Sequence, residues 1–384
     1  MTAKPDDEAA SPPAASPPAA SPPAASPPAA SPQGARRKLL GIALTLAIGT
    51  VGGALAWWAA LPLAWMIGAM LATTAASVAG APLRMDMRLR TLMVTVLGVM
   101  LGSGFQPELL NELGRWSLSL AAVALYIAVA GAAAYLYFRK VCSHDRITAY
   151  FSAMPGGLAE MILVGTAMGG DSRIISLSHA ARVLLVVLTV PFAFSFFTEM
   201  DQAARAAARP GMGEIPLLDL AILTACAVIG FFLGKALKLP AAQLVGPMLV
   251  SAVAHLTGLT TLPPPVELVG AAQVVVGSAL GARFAGTALH LIARTVLQAV
   301  GVTAILLSVT MIFAVGLHVG LGFDLRAIVL AFSPGGLAEM SLVALAMSAD
   351  AAFVATHHIL RIFLVVVFAP AVFRLTGGKA REPG

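Results

Sequence analysis

The sequence predicts an all-α integral membrane protein made of two homologous transmembrane repeats, and three observations carry that prediction. Of 384 residues, 59% are hydrophobic and only 11% are charged, with a mean hydropathy of +0.89, a balance that cannot furnish a soluble surface. Runs such as "LLGIALTLAIGTVGGALAWWAALPLAWMIGAML" and "TVLQAVGVTAILLSVTMIFAVGL" exceed the ~20 residues that carry a helix across a hydrocarbon layer of ~30 Å. Finally, "AMPGGLAEMILVG" at 153–165 returns as "FSPGGLAEMSLVA" at 332–344. Helix is the spanning element that fits, because lipid offers exposed backbone groups no partner and the runs lack the period-two alternation of a barrel strand.

In chain order, residues 1–38 read as a Pro/Ala/Ser-rich tail ending in the basic triplet Arg36, Arg37 and Lys38. Such a tail has nothing to bury and is expected to be disordered, with the triplet holding it in the cytoplasm. The apolar run from Leu39 to Ala60 is longer than a signal-peptide core, so it is expected as a permanent first span. Repeat 1 covers 39–198 and reads as six apolar elements, at 39–58, 62–79, 89–105, 116–138, 147–169 and 174–198. A polar linker at 199–216 leads to repeat 2 at 217–376, followed by a cytoplasmic tail at 377–384.

The duplication is legible residue by residue. "LPLAWMIGAML" at 61–71 matches "LPAAQLVGPML" at 239–249, and Gly80 falls on Gly258. After one inserted residue, Gly98, Gly102 and Phe105 match Gly277, Gly281 and Phe284. The motif residues Pro155 to Met161 match Pro334 to Met340, and Asp171, His179, Arg182 and Pro191 match Asp350, His358, Arg361 and Pro370.

If the fifth element of each half crosses, there are twelve spans and the repeats are parallel; if it is re-entrant, there are ten and the repeats are inverted. Basic residues arbitrate through the positive-inside bias. Lys235, Lys238, Arg283 and Arg294 are cytoplasmic only under inversion, whereas Arg205, Arg209 and Arg326 are so only in the parallel arrangement. Four against three favours inversion, as does the habit of transporter folds. In the first half, Arg84, Arg88, Arg90, Arg139, Lys140 and Arg146 serve as topology signals in both arrangements.

The fifth element also carries the chemistry. A proline removes a helix N–H and two glycines remove any steric pressure to restore the helix, so Pro155, Gly156 and Gly157, and likewise Pro334, Gly335 and Gly336, should split it into half-helices. Each second half-helix then presents unsatisfied N–H groups and a positive dipole end, which favour an anion. Glu160 and Glu339 occupy those first turns. Each is either the anion that satisfies the terminus or a carrier of protons or cations beside a solute cavity. His179 and Arg182 share one face of the next element, as do His358 and Arg361, and ion pairs Glu160–Arg182 and Glu339–Arg361 are expected, within or across the halves. The alternative is a purely structural hairpin with snorkelling arginines.

Other features have plainer readings. Asp171 and Asp350 read as N-caps, and Gly98/Gly102 and Gly277/Gly281 as close-packing positions. Cys142 and Cys226 imply neither a disulfide framework nor a thiolate metal site. The dispersed His144, His255, His290 and His318 form no ligand cluster, so no metal and no cofactor are expected. Absence of nucleotide-binding and nucleophile-elbow motifs argues against an ATP-driven pump or a hydrolase, and no enzymatic activity is expected. The basic residues are scattered through short loops, so direct nucleic-acid binding is not expected.

The paired "PGGLAEM", the paired "LPxxxxxGxML" segments and the "SHAAR"/"THHILR" positions together resemble the membrane AbrB duplication family over about residues 39–376. The resemblance implies one repeated transmembrane unit per half and a more distant similarity to cation:proton antiporter and anion transporter folds, with inverted repeats and broken helices. A Thr-Asp or Asn-Asp pair at the break, typical of the antiporter branch, is missing here, so sodium/proton exchange is not implied. Family members carry the labels ammonia monooxygenase and transcriptional regulator. The residues support neither as chemistry, since an oxygenase needs clustered ligands and a DNA-binding regulator a soluble basic module.

The expected function is a secondary transporter of a small anionic or zwitterionic solute, coupled to protons or cations at the two motifs. The alternative is a membrane-embedded sensor that influences gene expression without transport. The expected setting is the bacterial inner membrane, multi-pass with both termini cytoplasmic. The expected partners are the lipid bilayer, the solute with protons or cations, and a second copy of the chain in a homodimer.

Overall fold

The computed structural model describes residues 32–105, 109–195 and 210–376. The tail expected before residue 32, most of the linker and the tail from 377 lie outside the described residues. Among the described residues there are fourteen helices longer than one turn and no strand, as the composition requires. The first half comprises α1 (Pro32–Trp58), α2 (Ala64–Val78), α3 (Met87–Gly102), α4 (Leu109–Lys140), α5 (Arg146–Ala153), α6 (Leu158–Ala167) and α7 (Ser172–Ser195). The second comprises α8 (Leu217–Ala236), α9 (Ala242–Leu256), α10 (Val266–Gly281) with a 3₁₀ turn at Ala282–Phe284, α11 (Leu289–Leu321), α12 (Leu325–Phe332), α13 (Leu337–Ala346) and α14 (Ala351–Leu375). Among the described residues, α1, α4, α7, α8, α10, α11 and α14 are long and apolar enough to cross a membrane.

Local sequence explains where the helices begin and end. Asp86, Asp145, Asp171, Asp324 and Asp350 accept backbone N–H bonds in the first turns of α3, α5, α7, α12 and α14, so the N-cap reading of Asp171 and Asp350 holds. Gly80 and Gly258 close α2 and α9 with φ of +88° and +73°, conformations that favour glycine. Leu63 and Ala241, at matched positions before α2 and α9, both adopt φ near +50°.

The fifth element of each half is two short helices folded back on each other. Asp171, beyond the end of α6, donates its N–H to Oγ1 of Thr148 in the first turn of α5 at 2.9 Å. A Cβ added to Gly165 or Gly170 would press on Phe151 or Ile147, which places α6 alongside α5. In the second half, Arg326 in the first turn of α12 reaches the carbonyl of Met347, after α13. In both halves the chain enters and leaves the pair at the same end.

The halves interleave in space rather than standing side by side. Helix α2 packs along α10 and α3 along α9, while α4 and α7 pack on α11 and α14 packs on α4. Small residues set these approaches. A Cβ on Gly98 would strike the Leu244 carbonyl and one on Gly277 the Met66 carbonyl; Gly102 and Gly281 meet Ser251 and Thr73 in the same way. Because Met66 and Thr73 occupy the positions in α2 that Leu244 and Ser251 occupy in α9, both crossings use one geometry. The close-packing reading of these glycines therefore holds. Cys142 and Cys226 are both buried and free, ordinary small apolar residues.

Burial separates the spans by role. Two-thirds of the most apolar window of α7 (67%) and over half of that of α14 (56%) lie inside the protein, against 22% for α8. The most enclosed long helices are thus those that carry the His-Arg pairs. Replacing Gly98 or Gly277 by valine should force backbones apart and cost about 1–3 kcal/mol or more by overpacking. Gly316→Ala, at a position with open space around it, should be neutral or slightly stabilising. Thermal unfolding of the purified variants in detergent checks both, and equal stability of all three would mean the crossings are not set by the glycines.

Candidate functional site

Each PGG segment ends one short helix and starts another, leaving backbone groups of both without helical partners. At the end of α5, Met154 turns to extended geometry (φ −61°, ψ 128°) ahead of Pro155, and Gly157 caps α6 with φ −64° and ψ 134°. Neither Gly156 nor Gly157 has a positive φ, so glycine is required here for room rather than for conformation. A Cβ on Gly156 would meet Val365 of α14, and one on Gly157 would overlap the Glu160 carboxylate; Gly335 and Gly336 are crowded by Met340 and the Glu339 carboxylate in the same manner.

The loose carbonyls are taken by the next long helix. His179 donates from Nε2 to the Phe151 carbonyl at 2.9 Å, and His358 does the same to Leu330 at 3.0 Å. Arg182 donates to the carbonyls of Ser152 and Met154, each at 3.4 Å. Arg361 donates to Ser333 at 2.5 Å and to Gly335 at 2.8 Å. Each arginine also donates from Nη2 to Nδ1 of its histidine, at 2.7 Å and 3.0 Å. With Nε2 facing a carbonyl and Nδ1 facing a guanidinium, both imidazoles are assigned as neutral Nε2–H tautomers. Both histidines and both arginines are almost fully buried.

This geometry corrects the expected Glu160–Arg182 and Glu339–Arg361 ion pairs. Among the described residues, the ion pairs are Lys38–Asp86, Arg115–Glu112 and Arg326–Asp324, none at the site. The physical reason is the proline break: buried carbonyls at the negative end of a helix dipole need donors, and a guanidinium offers five in a fork. The two glutamates instead lie folded over Gly157 and Gly336, at the third residue of their own helices, where a carboxylate offsets the positive N-terminal end.

A cavity of about 300 Å³ lies between the two breaks. Of the residues the sequence singled out, Gly156, Gly157, Glu160, His179, Arg182, Gly335, Gly336, Glu339 and Arg361 line it. Pro155, Pro334 and His358 are buried outside its lining. Arg182 and Arg361 lie within electrostatic reach of each other, and their Nε atoms are buried without a hydrogen-bond partner. Within electrostatic reach of both lies Tyr126 of α4, bonded at 3.1 Å to Thr310 of α11, which in turn donates to the Phe332 carbonyl at 3.3 Å.

Four further polar residues line the cavity and were not singled out as site residues: Arg90, Thr91, Gln243 and Arg283. Arg90 and Arg283 read in the sequence as topology signals. None of the four is duplicated, since their counterparts are Val269, Gly270, Trp65 and Gly104, so a search for repeated chemistry passes over them. A second groove, about 570 Å³, lies between α4, α5 and α14 and is almost wholly apolar apart from Arg146 and Thr376 at its rim. Its chemistry suits acyl chains rather than a polar solute. Among the described residues, no three His, Cys, Asp or Glu side chains gather in a metal-ligating cluster.

The carbonyl contacts predict a definite rank order of stability. Arg182→Met and Arg361→Met strand buried carbonyls, each worth about 1–3 kcal/mol when left unsatisfied, whereas Glu160→Gln removes only a helix-end charge worth about 1 kcal/mol or less. Thermal midpoints of the purified proteins should therefore fall far more for the arginine variants. Equal losses for Arg182→Met and Glu160→Gln would restore the ion-pair reading.

Comparison with known proteins places the chain in a family. The family described as transition state regulatory protein AbrB matches residues 65–377. The chain is 29% identical over 357 residues to the Bacillus subtilis (strain 168) protein named "Uncharacterized protein YhjN", covering 86% of this chain and 91% of that one. It is 26% identical over 316 residues to the Escherichia coli (strain K12) protein named "Putative regulator AbrB", covering 82% of this chain and 90% of that one. With a family match across most of its length and a polytopic helical fold, the chain belongs to the AbrB membrane family.

Proposed function

We propose that the protein is a secondary transporter, not an enzyme, that carries a small solute through the cavity between the two helix breaks and couples its movement to protons. One observation carries the reading: two duplicated helix N-termini, each covered by its own glutamate, line one cavity built from both halves. A helix N-terminus favours an anion, and the Glu160 and Glu339 carboxylates already occupy that role. Protonation of a glutamate removes its charge and leaves the helix end to a solute anion. The proton neutralises the glutamate and the solute anion takes the glutamate's place at the positive end, so binding one favours binding the other, which is the linkage a symporter needs.

The reading includes topology. Each short-helix pair enters and leaves at one end, which leaves five crossing elements per half, an odd number that inverts the second repeat. Both termini then lie on the cytoplasmic side of a bacterial inner membrane, in keeping with the basic triplet at 36–38. The partners are the bilayer, the solute, the coupling ion and a second copy of the chain in a homodimer.

The printed name of the Escherichia coli relative favours one second reading, a membrane sensor that binds the same solute and affects gene expression through a partner protein. Flux separates the two. In proteoliposomes holding this protein alone, an inward proton gradient should drive electrical currents on solid-supported membranes with at least one organic solute. Glu160→Gln and Glu339→Gln should abolish the dependence on the gradient. Binding without flux would favour the sensor, and gradient-driven flux unchanged in both variants would remove the glutamates from coupling. For topology, a single cysteine at Gly213, in a background lacking Cys142 and Cys226, should react with a membrane-impermeant maleimide from the periplasmic side. Reaction from the cytoplasmic side alone would sink the inverted arrangement.

A further inference from the structure

The cavity combines duplicated residues with residues that belong to one half only, and the division has chemical content. Glu160, Glu339, Arg182 and Arg361 repeat, and the geometry already gives each a task inside the protein: the glutamates cover helix N-termini and the arginines hold carbonyls. Arg90 and Arg283 do not repeat. Among the described residues, neither side chain has a hydrogen bond or an ion pair, although both are partly buried and both line the cavity. Arg283 also lies within electrostatic reach of Arg90 and of Glu339, so two like charges face one space with a single carboxylate beside them, and that carboxylate is folded over its own helix end. Withdrawing cations from water beside each other is unfavourable unless an anion joins them.

We propose that the solute is an organic anion whose carboxylate is held by Arg90 and Arg283. The inference rests on reading this cavity as a solute site and deepens that reading. It also decides between the anionic and zwitterionic solutes that the sequence leaves open. A zwitterion needs a carboxylate for its ammonium group, and the cavity's carboxylates, Glu160 and Glu339, are folded over their own helix ends. Lining arginines outnumber lining glutamates four to two, so the site carries a positive excess that an anion neutralises. A planar carboxylate also matches the guanidinium fork better than a spherical ion does. Thr91 and Gln243, whose side chains have no hydrogen-bond partner among the described residues, supply further polar contacts. Leu244, Val276, Leu280 and Ile362 line the rest of the cavity and suit a carbon body, which selects an organic anion over an inorganic one.

The test uses the purified full chain and thermal shift with four probes: succinate, benzoate, alanine and choline, with sulfate as an inorganic control. At least one of the two carboxylates should raise the thermal midpoint, and Arg90→Gln and Arg283→Gln should each weaken that response at least tenfold in apparent affinity. Arg283→Lys, which keeps the charge but not the fork, should retain part of it. Because the two arginines repel each other and only Arg283 has a carboxylate, Glu339, within electrostatic reach, Arg90→Gln should not lose stability without probe and Arg283→Gln should lose little; a merely structural role would lower the midpoint of both probe-free variants markedly. A response to alanine, choline or sulfate in preference to both carboxylates overturns the proposal. So does no response to either carboxylate, or an unchanged carboxylate response in both glutamine variants. Carboxylate binding that depends on both arginines, with no flux in proteoliposomes, would instead overturn transport while leaving the assignment of the binding residues intact.

Discussion

The structure depends on one constraint: a helix broken inside an apolar protein leaves backbone carbonyls that something must bond. Pro155 and Pro334 end α5 and α12 after only eight residues each, and the residues that carry the last carbonyls are buried. His179 with Arg182, and His358 with Arg361, are the remedy. Burying a guanidinium is itself unfavourable, but here the cation faces the negative ends of short helices and donates a hydrogen bond to a neutral imidazole. Each element makes the other tolerable. Removing either leaves an unpaired charge or stranded carbonyls.

Satisfying one side of each break fixes the character of the other. With the C-terminal carbonyls of α5 and α12 tied to α7 and α14, the N-termini of α6 and α13 are what remain to face the cavity. The polarity of the site follows: carbonyl ends are neutralised by protein cations, and amide ends by protein anions that can take up a proton. The two kinds of neutralisation differ in reversibility. An arginine keeps its charge at any physiological pH, whereas a carboxylate gives its charge up on protonation. In the proposed function the glutamates are the variable partners and the arginines the fixed ones, a division that an ion pair between them would have erased.

Much of this was legible in the residues, and the limits have physical causes. The fold class, the duplication and the broken fifth element follow from hydropathy and from "PGGLAEM" itself, because proline and paired glycine act on the local backbone. Asp171 and Asp350 could be read as caps for the same reason. The partner of Arg182 could not, since a sequence displays the charge of Glu160 but not the carbonyls of Ser152 and Met154, which every residue possesses and only a broken helix exposes. Charge-pairing logic sees side chains and is blind to backbone acceptors. Arg90 and Arg283 were passed over for a different reason: a loop-proximal arginine is an ordinary topology signal, and only three-dimensional packing brings the start of α3 and the turn after α10 to one cavity.

Duplication also bears on where the proposed solute recognition would reside. A repeated gene fragment yields two copies of whatever the fold needs, so matched residues such as Gly98 and Gly277, or His179 and His358, report the scaffold first. A solute smaller than the cavity and lacking twofold symmetry cannot contact two identical half-sites equally; it is recognised through departures from the repeat. The departures that line the cavity are Arg90 and Thr91 from α3, Gln243 from α9, and Arg283 from the turn after α10. Helix α3 packs on both α9 and α10 across the two halves, so α3 joins the elements that carry these residues, while the duplicated residues sit at the ends of the short helices. In the proposed transport function one set of residues supplies selectivity and the other a pair of helix ends that respond to protons, and the two sets come together where the halves meet.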